Sequence, residues 1–257
     1  MGCVPVIGVG GCRANRMRST KVTAALCSAL ACLAAAGAVG CDFPADPEGT
    51  LDRVRGGTLR VGVVENEPWV VLEPGADPAG VEPELVRRFA ERLDADIEWF
   101  EGSERELAAA IRGFELDLVI GGLTRSWPYA THAALTRPYV DTEVELGVPP
   151  GTDVPDSLGG LEIWVERGSE AAALLRQEED DAEPVYFDRL GEVDGAALLD
   201  TYEIAAIGYE RTDYILRDDE HAMAVPSGEN AFLVELEKFL LDRGEEAEDL
   251  LFREAAR

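Results

Sequence analysis

Between Thr58 and Gly122 short apolar runs alternate with stretches of helical period, and this alternation most constrains the fold. Thr58 to Val64 reads as a largely buried strand. Glu82 to Leu93 places Leu85, Val86, Phe89, Ala90 and Leu93 on one helical face. Ile97 to Phe100 is a second strand. Ser103 stands three residues before Glu106, a capping-box spacing that opens a helix carrying Leu107, Ala110 and Ile111. Leu116 to Ile120 is a third strand, running into Gly121-Gly122. Strands that are apolar throughout belong to a parallel sheet covered on both faces, because only then is each side chain withdrawn from water.

A second unit of the same kind follows. Leu161 to Val165 predicts a strand that leads through Gly168-Ser169 into a helix over Ala171 to Leu175. Pro184 to Phe187 predicts a strand, Leu190 to Leu199 a helix and Ile204 to Gly208 another strand. Ala222 to Val225 returns as a short strand, and Asn230 to Leu241 is an amphipathic helix. The expected fold class is α/β: two lobes, each a mostly parallel sheet flanked by helices, joined by two hinge crossings. Lobe one is expected at 58–144 with 225–257, and lobe two at 145–224. The hinges are expected near Val144 to Gly147 and Ala222 to Val225. Open α/β sheets place ligands at the carboxyl ends of their strands, so the site is expected between the lobes.

Residues 1–40 contain no Asp or Glu, four bases (Arg13, Arg16, Arg18, Lys21) and an apolar stretch from Val22 to Val39. This is the layout of a secretory signal, which fits equally well if Met17 is the start. Ala38-Val39-Gly40-Cys41 resembles a bacterial lipobox, with Ala38 where Leu is usual. That resemblance implies lipidation of Cys41 and a tether over 41–57. All five cysteines fall at or before Cys41, so the domain beyond can build neither an internal disulfide nor a cysteine zinc site. Leaving out residues 1–40 takes the formal charge from −28 to −32. Nucleic acid is thereby excluded as a partner, since phosphate binding needs clustered bases.

The ordered segments resemble the family 3 solute-binding proteins of polar amino-acid ABC importers, over about residues 58–241. The segments that carry the resemblance are Pro68-Trp69, Gly80 to Leu85, Leu107 to Ile111, Leu116 to Thr124, Thr136 to Tyr139, Ser157 to Gly160 and Gly168-Ser169. The resemblance implies the periplasmic-binding-protein type II fold, an ABC permease as partner and a monomer that needs no cofactor. It implies ligand contacts at Trp69 (an aromatic wall), Thr124, Ser126 and Ser169, with Glu210 for a ligand ammonium. Where the family carries an Arg for the ligand's α-carboxylate, this chain has Tyr129. Trp69, Trp127, Tyr129 and Glu210 together would suit an organic cation better than a zwitterion.

Signs of catalysis are thin. His132 and His221 lack metal-ligand spacing, and neither a nucleophile elbow nor a P-loop is present. The expected chain is a membrane-anchored, extracytoplasmic binding protein, not an enzyme, with no fused transglycosylase or kinase domain. Two alternatives remain open: a sensory lipoprotein with a degenerate cleft that docks a partner protein, and a fold-sharing lyase.

Overall fold

The computed structural model describes residues 44–153, 157–178 and 181–257. The leader expected over 1–40 and the lipid-modified Cys41 lie outside the described residues. The chain from Pro44 onward builds two five-stranded sheets.

The first sheet contains β1 (Thr58–Val63), β2 (Asp96–Glu101), β3 (Leu118–Ile120), β4 (Ala134–Leu135) and β10 (Ala224–Val225), in the order β2-β1-β3-β10-β4. β1 pairs in parallel with β2 and β3, while β10 is antiparallel to both β3 and β4. Helices α2 (Val81–Arg92) and α3 (Glu104–Arg112) are the crossovers of this parallel core. The expected capping box at α3 is present. Ser103 Oγ accepts from Glu106 N at 3.4 Å, and Ser103 N donates to Glu106 Oε2 at 3.1 Å. Ser103→Ala removes one half of this exchange and is expected to cost about 1 kcal/mol in a urea titration.

The second sheet repeats the plan with β5 (Val140–Val148), β6 (Glu162–Glu166), β7 (Glu183–Phe187), β8 (Ala197–Asp200) and β9 (Glu210–His221). Its order is β7-β6-β8-β5-β9. β6 is parallel to β7 and β8, and β5 is antiparallel to β8 and β9. Helices α4 (Glu170–Glu178) and α5 (Thr201–Ala206) complete this lobe.

Three expectations change. The segment Leu190 to Leu199 is not a helix: after a single 3-10 turn at Leu190–Glu192, Ala197 begins the buried strand β8. Gly191 and Gly195 interrupt helical propagation, which Gly disfavours by about 1 kcal/mol each. Ile204 to Gly208 is not a strand, because the capping box of Asp200 and Glu203 starts α5 at Thr201. The chain changes sheets earlier than Val144. Val144 to Gly147 pair with both β8 and β9, so the first crossing is Thr136 to Tyr139 and the second is Ala222-Met223.

The stretch expected as a tether is folded from Pro44 on. It carries helix α1 (Thr50–Val54), whose Thr50, Leu51 and Val54 are buried. Asp46 accepts from the backbone N–H of Ala231 and Phe232 at the start of α6 (Asn230–Leu241). Glu229 accepts in return from the N–H of Glu48 and Thr50. Each carboxylate thus satisfies free donors at the other segment's helix start. The last helix, α7 (Gly244–Ala255), buries Ala247, Leu250 and Leu251 in the core of lobe one and also packs against α5 of lobe two. Among the described residues, no helix is long and apolar enough to cross a membrane.

Candidate functional site

A cavity of about 200 Å³ lies between the two sheets, lined from both lobes. At roughly 30 Å³ per liquid water it holds the equivalent of about seven waters, which sets the scale for a guest. Lobe one contributes Asn66, Trp69, Gly122 and Thr124 from the loops that leave β1 and β3 at their carboxyl ends. This is where an open α/β sheet presents its binding loops.

Trp69 is fully buried and forms the wall. Its ring stacks on His221 at 3.9 Å between centroids and meets Tyr139 and Tyr202 edge-on at 6.4 and 6.2 Å. Gly122 allows that packing. At φ 66° it lies in the left-handed region, and a Cβ there would stand 2.6 Å from the Trp69 ring. The loop is held from behind by Glu82 at the start of α2. Glu82 Oε2 accepts from Gly121 N and Gly122 N at 2.6 and 2.9 Å, and Oε1 accepts from the Tyr139 hydroxyl at 2.6 Å. Burial pushes the Glu82 carboxyl up to about 7 against the pull of those three donors.

Lobe two supplies the charge. Arg217, Asp219 and His221 alternate along β9, so all three side chains leave the same face of the strand and enter the cavity. Arg217 donates to Asp219 Oδ2 through Nε at 2.9 Å and to Glu170 Oε2 through an η nitrogen at 2.6 Å. Thr142 Oγ1 lies 3.2 Å from Asp200 Oδ1 and 3.0 Å from His221 Nε2. His221 Nδ1 lies 3.3 Å from the carbonyl of Gly122, which can only accept, so the ring proton sits on Nδ1. Burial lowers His221 to about 4, which keeps it neutral. Burial and then the charge of Asp219 raise Asp200 to about 6, while burial and then Asp200 raise Glu203 to about 8. The Tyr202 hydroxyl interacts with both Trp69 and Asp200, a polar link from one lobe to the other.

Of the residues expected at the site, the cavity brings together Trp69, Thr124 and Ser169. Ser169 accepts from Ala172 N at 3.1 Å and caps α4, whose first turn opens on the cavity. Ser126 is exposed beside the cavity and hydrogen-bonds Thr124 Oγ1 at 2.8 Å. Tyr129 lies outside the lining, packed on Trp127 at 5.6 Å in a separate apolar cluster under α3. Glu210 is also outside. It is exposed at the far end of β9, paired with Val148, about eleven residues of strand away from His221. The cavity is also lined by Asp200, Glu166, Glu170, Glu203, Arg217, Asp219 and His221, which sequence reasoning missed. Two signals could have found them: the Asp200-x-x-Glu203 capping box and the two-residue spacing of Arg217, Asp219 and His221.

The comparisons with known proteins agree with this geometry. The family model for bacterial extracellular solute-binding proteins, family 3, matches residues 59–248. Among solved structures, an ancestral cationic amino acid solute binding protein superposes with a TM-score of 0.66 at 17% identity, covering 81% of this chain and 100% of its own. A putative ABC-transporter binding component from Wolinella succinogenes, complexed with lysine, gives a TM-score of 0.59 at 20% identity, covering 77% of this chain and 95% of its own. Curated relatives include membrane-bound lytic murein transglycosylase F of Vibrio cholerae serotype O1, 32% identical over 90 residues, which are 34% of this chain. The same-named protein of Pasteurella multocida is 28% identical over 127 residues, 48% of this chain. These matches take in only 17% and 26% of the respective relatives' own length. With two mixed sheets, a shared cleft and a family match over most of the folded body, the chain belongs to the bacterial extracellular solute-binding proteins, family 3, and has their two-lobed type II α/β fold.

Proposed function

We propose that the protein captures a small cationic solute in the interlobe cleft and presents it, lobes closed, to an ABC-type permease. The observation that carries this reading is the cleft itself, lined from both lobes and rich in carboxylates. A guest that touches both lobes favours the closed arrangement by its differential affinity for it, which is all that transport-type capture requires. The work is capture without turnover. The protein acts outside the cytoplasm as a monomer, held to the membrane by lipid on Cys41.

The test is a thermal melt with lysine, arginine and simple amines, each in large excess. At a hundredfold excess over Kd, mass action adds about 2.7 kcal/mol, a rise of roughly 5 to 10 °C for a domain of this size. A flat melting point across the whole panel would sink the proposal.

A second reading, a regulatory module at the cell envelope, is supported by the likeness of part of the chain to part of the murein transglycosylases. It predicts an unchanged melting point with every solute and a rise with murein fragments.

A further inference from the structure

We propose that the guest is a small diamine-type dication carrying no carboxylate. The inference rests on the capture reading above and narrows it to one class of ligand.

Five carboxylates line the cavity, from Glu166, Glu170, Asp200, Glu203 and Asp219, against one guanidinium, that of Arg217. With every carboxylate ionised and His221 neutral the excess is four negative charges, and the raised value of Glu203 means that a bound cation is what brings that group to its charged form near pH 7. Arg217 is already engaged, bridging Glu170 and Asp219. It reaches Asp200 only through space. Among the described residues, no ion pair involves Glu166, Asp200 or Glu203. After burial, the charge of Asp200 raises the proton affinity of Glu203 and that of Asp219 raises Asp200, so these carboxylates crowd one another inside the cavity. A monocation would leave most of this excess standing, and a second positive charge removes more of it.

An α-carboxylate has no comparable partner. Arg125 and Arg137 are exposed and outside the lining, and Arg137 pairs with Glu237. The first turn of α4 offers backbone N–H groups to an anion, but Glu170 occupies that same turn and Glu166 precedes it, so an anion there meets like charge. A metal ion is the other way to meet a carboxylate excess. Among the described residues, however, no group of three or more His, Cys, Asp or Glu is placed to hold one. Trp69, Tyr202 and Leu199 line the same space and suit an alkyl chain between two ammonium ends. One end falls to Asp200 and Glu203 and the other to Glu166, which unlike Glu170 has no ion pair among the described residues.

The test is calorimetry on the detergent-solubilised full-length chain at pH 8 and low salt. The probes are 1,5-diaminopentane and lysine, which differ only by the carboxylate. The diamine is expected to bind at least tenfold more tightly. Asp200→Asn and Glu203→Gln should each weaken it about tenfold with an unchanged circular dichroism spectrum, since Asn caps a helix as well as Asp does. Lysine binding as tightly as the diamine overturns the ligand class and leaves capture standing. Diamine binding indifferent to both variants also overturns it. No heat from either probe or from any other amine or amino acid, with the fold intact, overturns the inference and the capture reading together.

Discussion

Glu82→Ala is expected to lower the unfolding free energy by about 3 to 5 kcal/mol, while Glu82→Gln lowers it by less than about 1.5 kcal/mol. The alanine variant strands three donors at once, the N–H groups of Gly121 and Gly122 and the Tyr139 hydroxyl, of which those of Gly121 and Tyr139 are buried. A glutamine oxygen can still accept from both glycines, and its amide can donate to the tyrosine oxygen. The pair also differs with pH. The wild-type carboxyl has its folded value raised, from an ordinary 4.5 to about 7. Its contribution is therefore fully present below pH 4.5 and is lost as pH rises through about 7. Urea titrations between pH 4 and 8 should show that slope in the wild type and lose it in Glu82→Gln. Equal losses for the two variants would mean that the hydrogen bonds are not what holds the Gly121-Gly122 loop.

Asp117→Ala is expected to cost about 3 kcal/mol. The carboxylate is fully buried between Arg53 and Arg60, and it also accepts from the Arg60 backbone N–H at 2.9 Å. Arg60 Nη2 stands 2.7 Å from Oδ1. The two guanidinium groups are partly exposed, 41% and 28%, and can rehydrate, so the loss stays at the lower end for a broken buried pair. Burial alone would raise the Asp117 carboxyl, but the hydrogen bonds from Arg60 and Arg53 outweigh it and hold the group below its ordinary 3.8. The sign is opposite to that of Glu82. Stability from Asp117 is present above about pH 4 and is lost as pH falls through the lowered value. Denaturant curves at pH 7 and pH 3 test this: the gap between wild type and Asp117→Ala should narrow at the lower pH.

From β1 to β3, lobe one was legible in the sequence almost to the residue, because each of those elements carries its own signal, whereas α1, β4 and α7 were not foreseen. β1 and β3 are unbroken apolar runs, α2 has a clean apolar stripe, and α3 opens on Ser103-x-x-Glu106. The second lobe was misread from Leu190 to Gly208 for a local reason. Leu190, Val193, Ala197 and Leu198 mimic a helical stripe, and that phase hid the strand of Ala197 to Asp200. The error then travelled: with the strand placed too late, Glu210, which lies outside the cavity lining, was expected at the site, and Asp200, which lines it, was passed over. β9 hid for a different reason. Its residues alternate exposed with part-buried positions and are almost all polar, so the apolar signal of a strand is missing. Arg217, Asp219 and His221 at its end are polar because they line a cavity, although Tyr214 and Leu216 pack on the lobe-two core, and hydrophobic periodicity cannot show a cavity face. Tyr129 resembled a site residue by position in a motif, yet its ring is needed between Trp127 and His132.

The reciprocal carboxylates of Asp46 and Glu229 clamp the segment that precedes α1 to the start of α6. If Cys41 bears the lipid, four residues separate it from Asp46, a reach of at most roughly 18 Å at full stretch. A body so anchored would stay within that reach of the bilayer surface.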